Sequence, residues 1–202
     1  MATTLDELSS SGTTRGKGRC VAIFGGSFNP PHVAHVLAAV YVLSTEPVDE
    51  VLVVPVYKHP FSKELASFED RLEMCRLAFS WIPRVVVSAV ERELDGESLT
   101  LRTIEHLANV HPDWSMRLLL GADVIADLPK WHRFDRIAEI ARPIIVGRAG
   151  VVAEGAPEPI LPRVSSTDVR DAVARADVAR LEKLVPRDVL AFIDERGLYR
   201  RS

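Results

Sequence analysis

Five short apolar runs, each followed by a stretch with helical spacing, leave this chain few folds to choose from. They cover residues 20–24, 50–56, 84–88, 116–120 and 143–147. The second reads Glu-Val-Leu-Val-Val-Pro-Val, without polar alternation, as expected of a strand covered on both faces of a parallel sheet. Helical patterns lie between the runs. Residues 33–44 form one, closed before Pro47. Phe68, Leu72, Cys75 and Phe79 make a stripe behind a Ser67 cap, with Asp70 three residues on. Leu101, Ile104, Leu107 and Ala108 share a face behind a Ser98 or Thr100 cap, and Trp131, Phe134, Ile137, Ala138 and Ala141 mark a further amphipathic helix. Residues 91–97 (Glu91, Glu93, Asp95 and Glu97) read as a solvated charged loop, and residues 150–162 as a Gly/Pro/Ala-rich loop with a short edge strand at Ile160-Leu161. Ser165-Ser166-Thr167 caps a helix reaching about Ala176, and Pro186 opens a last helix stopped at Gly197. Strands alternating with helices predict an α/β chain: a Rossmann-like parallel sheet with right-handed crossovers and helices on both faces.

The chain has 202 residues, 47% of them apolar, which suffices for one compact domain with a real core. Residues 1–18, rich in Ser, Thr and Gly, read as a disordered tail, and residues 19–202 as a single domain. A net charge of −3 argues against a nucleic-acid partner, which calls for a basic face. No run approaches the ~18 continuous apolar residues of a membrane span, and none has the form of a signal peptide. Cys20 and Cys75 have neither CxxC nor metal-ligand spacing, and read as reduced core thiols of a cytoplasmic protein.

The first apolar run empties into Gly25-Gly26-Ser27-Phe28-Asn29-Pro30-Pro31-His32-Val33-Ala34-His35. This reads as strand, tight loop, helix, with both histidines at the helix mouth. Glycine lets backbone approach a ligand closely. A helix N-terminus offers free N–H groups and a positive dipole end, and imidazoles add donors that can carry charge. The pattern suits an anion. It is neither GxGxxG nor GxxxxGK[ST], so a dinucleotide fingerprint and a P-loop are absent, and a dehydrogenase is disfavoured. Taken singly, other features have plainer readings: Ser166 and Thr167 as a helix cap with Arg170 on the surface, Lys58 and Lys63 as solvated loop lysines, Trp131 as core, Asp123 as a helix cap.

The stretch from Gly25 to His35 resembles the signature of the nucleotidyltransferase superfamily that uses a (T/H)xGH motif. Val164-Ser165-Ser166-Thr167-Asp168-Val169-Arg170 resembles that superfamily's second motif. Gly121-Ala122-Asp123 followed by Pro129-Lys130-Trp131 is similar to the bacterial nicotinate-nucleotide adenylyltransferase family, as is the ending Ile193-Asp-Glu-Arg-Gly-Leu-Tyr199. The resemblance spans about residues 21–199. The chain departs from the family pattern at Ala34, usually glycine, at Leu99, usually tyrosine, and in the lysine loop.

The resemblance implies a HIGH-type nucleotidyltransferase fold and transfer of AMP from ATP to nicotinate mononucleotide, giving deamido-NAD and pyrophosphate. His32, His35 and Arg170 would be catalytic. Gly25, Gly26, Ser27, Phe28, His35, Asp123, Ser166, Thr167 and Arg170 would bind ATP. Lys58, Thr100, Trp131 and His132 would bind the acceptor, with the ring on Trp131 and the carboxylate on backbone N–H groups. Mg²⁺ would arrive with ATP, since no dedicated carboxylate cage is evident. The partners expected are these small molecules, with a homo-oligomer left open. The competing readings are a related enzyme acting on nicotinamide mononucleotide, phosphopantetheine or a small alcohol phosphate, and a non-catalytic nucleotide-binding protein of the same fold.

Overall fold

The computed structural model of the chain describes residues 18–58, 65–97, 99–151 and 155–200. Six strands build one sheet: β1 (Cys20–Gly26), β2 (Glu50–Pro55), β3 (Val85–Val87), β4 (Ser115–Gly121), β5 (Ala141–Arg148) and β6 (Pro159–Leu161). Their order is β3-β2-β1-β4-β5-β6, and every neighbouring pair is parallel. The order runs outward in opposite directions from β1 and β4, so the switch point lies between them. Ligands of open α/β sheets bind in the crevice beyond the carboxyl ends of strands at such a point.

The helices are α1 (Val33–Thr45), α2 (Phe68–Phe79), α3 (Val90–Leu94), α4 (Thr100–Val110), a 3₁₀ helix (Ala122–Lys130), α5 (Phe134–Ile140), α6 (Ser166–Ala174), α7 (Val178–Leu184) and α8 (Arg187–Glu195). Strand residues alternate between two apolar layers, which is why the runs show no polar alternation. Ala22, Phe24, Val51, Val53 and Leu119 join Val42 of α1, Met74 and Phe79 of α2, Val169 of α6 and Ile193 of α8. Val21, Ile23, Leu52, Leu118 and Leu120 join Ile104 of α4, Leu128 of the 3₁₀ helix and Ile137 of α5. Each fully buried aliphatic or Phe side chain contributes about 1.5–3 kcal/mol, so the two layers hold the sheet in a fixed frame for its loops.

Several elements differ from the sequence reading. Residues 90–94 are helical, and Glu91 is buried rather than solvated. Leu99 occupies the N-cap position of α4 without a side-chain cap, and Ser98 lies outside the described residues. Trp131 and Ala141 flank α5 instead of belonging to it. Residues 178–184 form α7, which the sequence reading missed. Its marks were present in Asp177, whose side chain accepts from the Arg180 N–H, and in buried Leu181. Ser67 caps α2 as expected, its Oγ accepting the Asp70 N–H at 3.0 Å. The tail at 1–17, His59, Lys63 and residues 152–154 of the 150–162 loop lie outside the described residues. Among the described residues, no helix is long and apolar enough to cross a membrane.

Candidate active site

The carboxyl end of β1 opens onto a cavity of about 660 Å³. Gly25, Gly26 and Ser27 form one wall, and Thr100, Trp131 and His132 stand among the residues of the others. A β-carbon at Gly25 would meet nothing within 4 Å, so glycine here keeps the cavity wall clear. Trp131 is half-buried and lies edge-on to Phe134, ring centroids 6.2 Å apart. Thr100 is the first residue of α4, and Leu99 at its N-cap supplies no side-chain cap. First-turn N–H groups at a cavity wall can receive an anionic oxygen.

On the other side of the Gly25–Ser27 backbone the loop turns into α1. Phe28 sits at φ +43 and is buried, and Asn29 and His32 are buried behind it. His32 is the N-cap of α1, and its backbone N–H donates to His35 Nδ1 at 3.1 Å. That bond fixes the tautomer: a neutral His35 that accepts at Nδ1 carries its proton on Nε2, where it is a donor. The two imidazoles stack with centroids 3.7 Å apart, and Phe28 packs on His35 at 4.9 Å. Burial drives the His32 pKa from 6.5 down to about 3, the Arg148 charge pushing the same way and Asp168 opposing. Burial, then His32 and Arg148, hold His35 well below its usual value. Both rings are therefore neutral near pH 7, and the site's fixed positive charge comes from arginines. Ala34 is wholly buried in the apolar layer beneath this loop, so the methyl that replaces the family's glycine is housed in the core.

The second motif is folded against the first. Ser165 caps α6 in a reciprocal box with Asp168, its Oγ accepting the Asp168 N–H at 3.1 Å and its own N–H donating to Asp168 Oδ2 at 2.9 Å. This frees Ser166, whose Oγ donates to the Pro30 carbonyl at 2.8 Å. Arg170 donates from Nη1 to the Asn29 carbonyl at 2.8 Å and from Nη2 to Thr167 Oγ1 at 3.1 Å. Both acceptors are neutral, so the guanidinium charge is not cancelled there. Arg148, at the end of β5, has Nη1 3.2 Å from Asp123 Oδ2, while its Nε, like His32 Nδ1, is buried without a hydrogen-bond partner among the described residues. The β5–β6 register shifts between Gly147 and Arg148, an irregularity of the kind that re-aims a side chain. A β-carbon on Gly121 would collide with Asp123 Oδ1, so glycine is required for this carboxylate to lie back over the strand end. Two orphaned polar atoms and two arginines thus gather where an anion with several oxygens would satisfy them.

The cytidylyltransferase-like family profile matches residues 23–172. A probable nicotinate-nucleotide adenylyltransferase of Anaeromyxobacter sp. (strain K) is 50% identical over 187 residues, covering 91% of this chain and 98% of that one. The chain belongs to the nicotinate-nucleotide adenylyltransferase family. A Myxococcus xanthus protein of the same description is 41% identical over 180 residues, covering 89% of this chain and 94% of its own length. The fold agrees with that of Plasmodium falciparum nicotinic acid mononucleotide adenylyltransferase complexed with NaAD, at a TM-score of 0.77 and 20% identity, over 90% of this chain and 97% of that one.

Within the frame of this family, the structure brings His32, His35, Ser166, Thr167 and Arg170 to one side of the Gly25–Ser27 backbone, and Thr100, Trp131 and His132 to the other. Lys58 stands apart from the cavity wall, its exposed ammonium 3.0 Å from Asp95 Oδ1. The hydrogen bond and charge of Asp95 raise its pKa. Glu91, set aside in the sequence reading, lines the cavity and accepts the Tyr57 N–H at 2.9 Å and the Thr103 hydroxyl at 3.2 Å. Glu91 thus holds the backbone beside Lys58. Arg71 was also missed: it is buried in α2 and donates to the carbonyls of Ser27 and Ala66, both at 3.0 Å. Its place behind the Ser67 cap, amid an apolar stripe, was the available signal.

Proposed function

We propose that this chain transfers AMP from Mg-ATP to nicotinate mononucleotide, releasing pyrophosphate and forming deamido-NAD. The observation that carries the reading is the division of the site by one glycine loop. A cluster of arginine, histidine and helix-start hydroxyl groups suited to a triphosphate lies on one side, and a cavity with a tryptophan and the start of α4 lies on the other.

A phosphate oxygen of the acceptor attacks the α-phosphorus of ATP in line. The bond from that phosphorus to the oxygen bridging the α and β phosphates breaks, and pyrophosphate leaves with the electron pair. The protein contributes position and charge stabilisation. His35 Nε2–H and His32 are donors for the α-phosphate oxygens and the departing pyrophosphate. Ser166, Thr167 and Arg170 hold the β and γ phosphates at the start of α6, and Arg148 adds fixed charge beside both imidazoles. Trp131 offers a face for the pyridine ring, and the N–H groups at the start of α4 receive its carboxylate. Among the described residues, no three of His, Cys, Asp and Glu converge as metal ligands. Mg²⁺ would arrive with ATP and would neutralise part of the phosphate charge.

The test is pyrophosphate release from Mg-ATP with each candidate acceptor supplied separately. Release with nicotinate mononucleotide and little with nicotinamide mononucleotide is the expected result. Release with phosphopantetheine alone would overturn the acceptor, and none with any acceptor would favour a nucleotide-binding protein.

A further inference from the structure

Asn29 is held from parts of the chain far apart in sequence. Its carbonyl accepts from Arg170, while its side-chain Oδ1 accepts the Ala66 N–H at 3.1 Å and the Tyr199 hydroxyl at 2.8 Å. The next carbonyl, of Pro30, accepts from Ser166. Asn29 is only 3% exposed, so a lost partner at Oδ1 leaves a largely buried acceptor. His32, the N-cap of α1, follows three residues later.

The chain end is built to deliver that hydroxyl. α8 stops in a Schellman turn: the Gly197 N–H donates to the Asp194 carbonyl at 3.1 Å and the Leu198 N–H to the Ile193 carbonyl at 3.0 Å. Gly197, at φ +61, takes the left-handed position at the turn. Tyr199 then also adopts φ +62, a conformation a tyrosine rarely holds unless its surroundings impose it. The guanidinium of Arg196, just before the turn, lies 3.2 Å from Asp70 Oδ1. Asp70 neighbours Arg71 on α2, and Arg71 grips the Ser27 carbonyl of the same phosphate-side loop. Burial raises the Tyr199 pKa, so the hydroxyl stays a donor across the working pH range.

We propose that Tyr199 is a positioning residue for adenylyl transfer: through its hydrogen bond to Asn29, it fixes the Asn29–Pro30 turn that sets His32, Ser166 and Arg170 around the ATP phosphates. This rests on the functional reading above. Residues nearly at the end of the chain thus belong to the ATP side of the site without lining the acceptor cavity.

The test is Tyr199→Phe, which keeps the ring and removes the oxygen. Three quantities are measured: the melting temperature, KM and kcat against each substrate, and the calorimetric affinity for a non-hydrolysable Mg-ATP analogue. One neutral hydrogen bond corresponds to about a fivefold effect. The expected result is about fivefold weaker analogue binding and a matching rise in KM for ATP. KM for nicotinate mononucleotide and the melt should stay close to wild type. Unchanged analogue affinity, or equal losses for both substrates in step with the melt, would overturn the proposal. If wild type releases no pyrophosphate with any acceptor, the functional reading fails by itself. Analogue affinity then still decides whether Tyr199 shapes the phosphate side.

Discussion

Acidifying the protein from pH 7 to 4.5 should cost it about 3 kcal/mol at one side chain, His32. In the unfolded chain this imidazole takes up a proton below its ordinary pKa of 6.5, whereas in the fold it resists until about 3. The ring is 1% exposed, stacked on His35 and faced by the Arg148 charge, with Asp168 and a backbone hydrogen bond favouring protonation more weakly. Between those two pH values the unfolded state binds more protons, so stability is complete above 6.5 and falls as the pH drops. At pH 4.5 about two pKa units of that gap have been crossed, each worth about 1.4 kcal/mol. Urea unfolding of wild type and His32→Asn between pH 7.5 and 4.5 reads this out as a difference in slope. Acidic groups elsewhere titrate in both proteins and cancel. The wild-type curve should fall about 3 kcal/mol further than that of the variant. Parallel curves between pH 6.5 and 4.5 would refute the claim that burial and Arg148 keep this ring neutral.

Two further substitutions separate the halves of the site. Trp131→Ala should raise KM for the pyridine mononucleotide about tenfold or more, the scale of a lost ring stack, and leave KM for ATP unchanged in steady-state assays. Arg148→Gln should lower kcat/KM for ATP about 10²-fold. Because Arg148 helps depress both imidazoles, it should also move the His32 midpoint upward in an NMR titration.

The sheet was legible because its strands are short unbroken runs of Val, Ile and Leu, and the two-layer burial explains why no alternation is visible. The first motif was legible because two histidines at a helix mouth have no place in an apolar core unless they serve a ligand, and Ser166 and Arg170 gained meaning once paired with it. What escaped was decided by tertiary partners. Glu91 sits in a charged stretch and looks solvated; the approach of Tyr57 and Thr103, far off in sequence or on another helix, gives its carboxylate partners when buried. Arg148 ends a strand run like any surface arginine, and a register shift beside Gly147 puts it among the site groups. The neutrality of the histidines could not be read from residue identity, because it follows from the depth of His32 and the closeness of Arg148. Tyr199 stands 170 positions from Asn29, a distance over which spacing says nothing.

The paired imidazoles act on phosphate, not merely on the fold. His35→Ala tests it most directly, with turnover measured as pyrophosphate release from Mg-ATP and nicotinate mononucleotide alongside a thermal melt of the same sample. Turnover should fall by about 10²–10³, with a melt displaced by only a few degrees, since half-buried His35 contributes one hydrogen bond and ring contacts with His32, Phe28 and Phe24 to the folded state. Turnover unchanged, or turnover and melt collapsing together, would contradict it.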